Sequence, residues 1–177
     1  HAAIDIYEQA LRLAQESAMK STTPMIIDGE AVIPGMTDLH MGLGMLYREQ
    51  GRVEAAAHLD RCRALGEPAA LTNWPHRWRL AQARIKLGEG NWKSALALLN
   101  EAERHYLRGP VPELRPIAAQ KAHAWIGQGR LHEAQRWAQE AGVSVADELT
   151  YAREFEHMTL TRLLIAQHKR EQLPAAL

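Results

Sequence analysis

Met45, Arg84, His123 and Arg162 stand 39 residues apart along the chain, and their chemistry is that of recognition. Arginine carries planar, forked donors that match carboxylate, phosphate or sugar oxygens, and methionine adapts to irregular apolar shapes. A second row has the same spacing: Met41, Leu80, Ala119 and Met158. Two shorter rows flank them, Asp38 with Arg77, and Arg48 with Leu87 and Ile126. Guanidinium groups gathered on one surface repel each other modestly, screened over about 8 Å at physiological salt. If Arg77, Arg84 and Arg162 share a surface, the expected partner is oxygen-rich or anionic.

The motifs of a catalytic centre are missing. The sequence has no Gly-x4-Gly-Lys-Ser/Thr phosphate loop and no Gly-x-Gly-x-x-Gly. Its nine histidines include no His-Glu-x-x-His, and its single cysteine, Cys62, has no cysteine partner for a zinc site. Ser94 and Ser144 lack a nucleophile-elbow context. Glu101/Glu103 and Glu154/Glu156 are spaced by two, which on a helix turns them to different faces. His123 and His132 are expected on helix surfaces. The chain is therefore read as no enzyme, without a metal or cofactor in this segment.

The elements that must position these residues follow from a repeat. Gly51-Arg52-Val53-Glu54-Ala55-Ala56 returns as Gly90-Asn91-Trp92-Lys93-Ser94-Ala95 and as Gly129-Arg130-Leu131-His132-Glu133-Ala134, again at a spacing of 39. A fixed period in this range is the signature of a stacked array. Glycine ends one helix in the left-handed conformation, and the alanine five residues later lets the next helix lie close. Other columns share the period: Leu39/Trp78/Ile117, Leu46/Ile85/Ala124, Gly44/Ala83/Ala122, Val53/Trp92/Leu131 and Leu59/Leu98/Trp137. Within a unit, steps of three, four and seven put them on one helical face. The fold class is all-α, a right-handed superhelical solenoid of antiparallel helix pairs, with Trp78 and Trp92 in the core. Trp74, ahead of Pro75, is expected to staple a helix start.

At 177 residues the array forms one domain. A partial repeat covers 1–20, full repeats cover about 36–66, 75–107 and 114–142, and a partial repeat covers 147–177. Residues 20–35, with Pro24, Gly29, Pro34 and Gly35, break the helical pattern and are expected to protrude or move. Arg108-Gly109-Pro110-Val111-Pro112 reads as a stiff connection, and Asp147 as the cap of a last helix. In that fourth unit Glu156 stands where an apolar residue is due, and no glycine falls near 168. Twenty-one Lys+Arg balance 21 Asp+Glu, so no global field draws the chain to nucleic acid or anionic lipid. Cys62 on a helix suggests a small buried residue. Without a membrane span or signal peptide, the expected location is cytoplasmic. The chain starts without methionine inside a helical pattern and ends as another begins, as a segment of a larger protein would.

Ala64-Leu65-Gly66-Glu67-Pro68, Trp74-Pro75-x-Arg77-Trp78-Arg79-Leu80-Ala81-Gln82-Ala83-Arg84 and Arg108–Pro112, with the repeated turns, resemble the tetratricopeptide-type region of MalT-like, LuxR-family ATP-dependent transcription regulators. The resemblance covers residues 36–167 and more loosely 1–20; the period of 39 in place of 34 and the weak fourth unit depart from the generic tetratricopeptide. It implies an effector-sensing or protein-interaction module within a multidomain switch, with ATP on a separate domain and DNA read by another. It implies as partners a small-molecule inducer or a regulatory protein or peptide, and other domains of the same polypeptide. In such arrays the first helix of each pair lines the concave face. Carried over, this places Met41, Met45, Arg48, Arg77, Arg84, His123, Met158 and Arg162 in a groove. A standalone tetratricopeptide adaptor that docks peptide termini is the alternative.

One stretch suggests DNA binding and is rejected. Leu149-Thr150-Tyr151-Ala152-Arg153-Glu154-Phe155-Glu156, followed by Leu163–Ala166, is similar to the opening helix of a LuxR-type DNA-binding module. The 177 residues stop before a recognition helix could be completed, and the period demands a repeat helix there. Neither direct nucleic-acid contact nor membrane binding is expected of this segment.

Overall fold

A computed structural model describes residues 2–106 and 113–172. The connection expected at Arg108–Pro112 and the end of the partial repeat at 173–177 lie outside these residues. The described residues form eight α-helices and one small hairpin, an all-α repeat fold, and the chain divides into two compact units, 1–75 and 76–177.

The first unit runs α1 (Ala2–Lys20), β1 (Met25–Ile27), β2 (Glu30–Val32), α2 (Met36–Glu49) and α3 (Glu54–Leu65). The segment 20–35, read as a break in the helical pattern, holds these two strands. Asp28 and Gly29 both take positive φ, 52° and 81°, and form the two-residue turn that matches strand twist. The strands pair antiparallel with Met25 opposite Val32 and Ile27 opposite Glu30. Val32 is buried with Ile4, Leu11 and Ala14 of α1 and Met36, Leu43 and Tyr47 of α2, so the hairpin is anchored in the core. Arg61 of α3 pairs with Glu30 and lies 3.8 Å from Asp28, holding the turn as well. The start of α2 is tied to the segment after α3. Gly35 N–H donates to the Ala69 carbonyl at 2.8 Å, and Thr37 Oγ1 donates to the Gly66 carbonyl at 2.9 Å.

The second unit carries α4 (Trp74–Gly88, its first two residues assigned to the first unit), α5 (Trp92–Arg104), α6 (Ile117–Gly127), α7 (Leu131–Glu140), a 3-10 turn Tyr151–Arg153, and α8 (Glu154–Gln172). Its core is a ladder of small and branched residues. Ala83, Leu99, Ala102 and Ile117 form one cluster, and Leu87, Ala95 and Ala124 another. A third joins Ala119, Ala122, Leu131, Ala134, Trp137, Leu160 and Leu163. Trp74 is buried at the head of α4.

The three turn glycines do what the period demands. Gly51, Gly90 and Gly129 have φ of 67°, 70° and 74°, a region open to glycine at no Cβ cost. Each N–H returns to the carbonyl three residues back (Arg48, Leu87, Ile126), and the next N–H reaches five back (Tyr47, Lys86, Trp125) at 2.9 Å. This pair of bonds is the Schellman closure of a helix. Asn91 adds a cap, its side chain accepting from Ser94 N–H. The small-residue column is also as read: a Cβ on Gly44 would lie 2.7 Å from Leu59 Cγ, and Ala83 and Ala122 are fully buried.

Elsewhere the columns fail for identifiable reasons. Val53, read as an apolar column residue, is 89% exposed, because α3 begins at Glu54, one residue later than the period predicts. Trp78 and Trp92 are only partly buried; a Cβ on Gly127 would lie 2.4 Å from the Trp92 indole, which therefore lies over the end of α6. Asp147 does not cap a helix, since α8 starts at Glu154. Its carboxylate accepts from Ser144 N–H at 3.0 Å and lies 3.5 Å from Arg153 and 3.4 Å from His157, bracing the connection against the first turn of α8. The Ser144 bond and these neighbours hold its pKa below the ordinary aspartate value. Glu156 at its apolar column position is matched by Arg153 at 3.0 Å. No turn glycine interrupts α8, which runs 19 residues against 11 in α6.

Candidate functional site

The candidate groove residues divide between the units. Met41, Met45 and Arg48 lie on α2 at steps of four and three, on one partly buried face of the first unit. Asp38, from the same face, braces the fold, and its Oδ2 accepts from Leu71 N–H at 2.7 Å. In the second unit Arg77 and Arg84 lie seven residues apart on α4, both partly buried, and Arg79 on another face pairs with Glu101 at 2.6 Å. Two members of the inward rows are not on a surface at all. Leu87 is buried with Ala95 and Ala124, and Ala119 is fully buried against α7 and α8. Both face the seam between helices.

His123 and Arg162 do come together. They occupy one repeat position on α6 and α8, helices packed against each other. Burial, and then the Arg162 charge, hold the His123 pKa below its ordinary value. The Trp92 ring of α5 stands 5.8 Å from the His123 imidazole. Arg162 Nη1 is enclosed without a hydrogen-bond partner among the described residues, and no carboxylate there forms an ion pair with Arg162.

Met158, one turn before Arg162, borders two hollows. One, of about 480 Å³, is lined by Leu149, Tyr151, Glu154, His157, Met158 and Thr161. The other, of about 270 Å³, is lined by Leu114, Arg115, Tyr151, Glu154, Phe155 and Met158. Leu149 and Tyr151 are 78% and 76% exposed. Spaces of this size with apolar walls and a few polar groups suit small molecules. Sequence reasoning picked out Met158 but gave Leu149 and Tyr151 to a rejected DNA-binding resemblance. Their signal was exposed apolar character in a connection between helices.

A second polar cluster, in the first unit, escaped sequence reasoning. His40 Nδ1 of α2 lies 3.0 Å from His58 Nδ1 of α3, and the Tyr47 ring is 5.3 Å from His58. Tyr47 donates its hydroxyl to Glu8 of α1. Burial, with the neighbouring His58 and Arg61, lowers the His40 pKa to about 4; burial also lowers that of His58, against the pull of Glu8 and Glu54. The two imidazoles sit 18 residues apart on different helices, so no local motif announces them. Cys62 is fully buried, and desolvation raises its thiol to about 12, which makes it a packing residue.

Among the described residues no three His, Cys, Asp or Glu side chains gather where they could hold a metal ion, and no helix is long and apolar enough to cross a membrane. No curated protein and no solved structure gives a match. The family model described as the MalT-like TPR region matches residues 1–177. With the repeated Schellman turns and small-residue seams, that match over the whole chain means the protein belongs to the MalT-like TPR region family.

Proposed function

We propose that this chain is the non-catalytic effector-sensing or protein-interaction module of a MalT-like, LuxR-family transcription regulator, working in the cytoplasm. The observation that carries the reading is the family match across residues 1–177. The surface of α6 and α8 supports it: Met158 lines two hollows of small-molecule size, and His123 and Arg162 come together on the same two helices. A small inducer or a regulatory protein held there would bias a parent switch by its differential affinity for the two states. ATP binding and DNA reading belong, on this reading, to other domains of the same polypeptide.

The encoding gene tests it. A phosphate-loop domain on one side of this segment and a helix-turn-helix on the other are expected. A gene with neither overturns the regulator reading and leaves a tetratricopeptide adaptor, a reading that the exposed Leu149 and Tyr151 favour as protein-contact residues.

A further inference from the structure

We propose that Arg162 and His123, with Arg84 at the same repeat position on α4, form a site for the carboxylate or phosphate group of a small organic ligand. The inference rests on the sensor reading and names the chemistry of the effector. Three observations carry it.

The first is placement. Residues 84, 123 and 162 occupy one row across α4, α6 and α8. Helices α6 and α8 pack against each other, with Ala119, Ala122, Leu160 and Leu163 in one buried cluster, and α4 and α6 share two more, Ala83 with Ile117 and Leu87 with Ala124. The second is an unanswered donor. Arg162 Nη1 is enclosed with no acceptor among the described residues, while other arginines of the unit, Arg79, Arg130 and Arg153, each have a carboxylate within 3.0 Å. A buried guanidinium N–H without an acceptor is costly, and an incoming oxyanion is the acceptor it lacks. The third is the setting of His123. The Trp92 ring stands 5.8 Å from its imidazole, and burial and then the Arg162 charge lower its pKa, so an anion that offsets that charge would raise it again. Met158 lies four residues before Arg162 on the same face of α8, and the 480 Å³ hollow beside it gives room for a small apolar body. Glu154 lines that hollow a further turn away, so the anionic group belongs at the Arg162 end.

The test follows the His123 ring signals by NMR in the 177-residue chain across pH, with inorganic phosphate or succinate against chloride at matched ionic strength. An anion seated on Arg162 should raise the His123 midpoint by roughly one pH unit, a tenfold gain in proton affinity. Phosphate and succinate, compared with each other, separate a phosphoryl from a carboxylate preference. Arg162→Gln should abolish the shift and Arg162→Lys should keep part of it, with the melting temperature of Arg162→Gln not lowered. A midpoint that ignores both anions, or a shift undiminished in Arg162→Gln, overturns the site. Binding of an acidic peptide where both small anions fail overturns it in favour of a protein ligand. None of these outcomes bears on the parent-gene test, so failure of the site and failure of the sensor reading are distinguishable.

Discussion

The α2–α3 hairpin and the α6–α7 hairpin turn in the same way and pack in different ways. Gly51 and Gly129 close their helices with matching bonds, N–H to carbonyl at 3.0 Å in both. Beyond the turn the second helices present different faces. On α7 the buried residues are Leu131, Ala134, Trp137 and Ala138; on α3 they are Ala55, Cys62 and Leu65. In repeat register Ala55 stands one residue before the position of Ala134, and Cys62 corresponds to exposed Glu140, so the buried face of α3 is rotated relative to that of α7. Ala56, the counterpart of Ala95 and Ala134, is exposed, whereas those two are fully buried. The displaced face brings His58 toward His40 and Tyr47, where the second unit has exposed Ala97 and Arg136. A glycine turn thus sets where a helix ends; the residues after it decide which side of the next helix is buried.

The largest expected contrast comes from truncating one column in both hairpins. Leu131→Ala removes a side chain 9% exposed and should cost about 2–4 kcal/mol, as buried leucines do. Val53→Ala, in the same column, should stay within about 0.5 kcal/mol. Urea unfolding of the two variants measures both.

Acid should act through the first unit. The His40 pKa is depressed to about 4 from 6.5, so between these values the unfolded chain binds the additional proton. Stability therefore falls as pH drops through that window and is fully present above it, by up to about 3 kcal/mol. Hydrogen exchange at pH 7 and pH 5 should show faster opening of α2 and α3, and His40→Gln should flatten the dependence. Equal protection at both pH values would show that the histidine pair does not couple to opening of these helices.

Overpacking gives a smaller contrast. Ala95→Leu should cost roughly 1–3 kcal/mol, because Ala95 is fully buried in a cluster with Leu87 and Ala124. Ala56→Leu should change stability by less than about 0.5 kcal/mol. Thermal melts of the pair suffice.

These contrasts also mark what could be read in the sequence. Helix pairs were legible because glycine and alanine have few substitutes at a Schellman turn and a close crossing, so Gly44, Ala83 and Ala122 keep their period. The displaced α3 was not, because a fixed period assumes every unit uses the same face. The hairpin was announced by Asp28-Gly29 between Met25-Ile26-Ile27 and Glu30-Ala31-Val32, a signal hidden within a stretch read only as a breaker of helices. For the site, the row through His123 and Arg162 followed from counting. The burial of Leu87 and Ala119 did not, since whether a position near a seam faces the neighbour or the solvent depends on helix rotation. The hollow beside Met158 depends on the path of the chain between Val143 and Arg153, fixed by Asp147 and its partners across several turns.

The displaced face of α3 is tested most directly by thiol labelling of single substitutions to cysteine. Cys62 is fully buried and stays silent in brief labelling, so Ala56→Cys and Ala95→Cys each report one position. With the face displaced, a cysteine at 56 should label at nearly the rate of an unfolded thiol. One at 95 should label at least about a hundredfold more slowly, limited by opening of the structure. Equal protection at the two positions would contradict the displacement, showing that the first hairpin packs in the same register as the others.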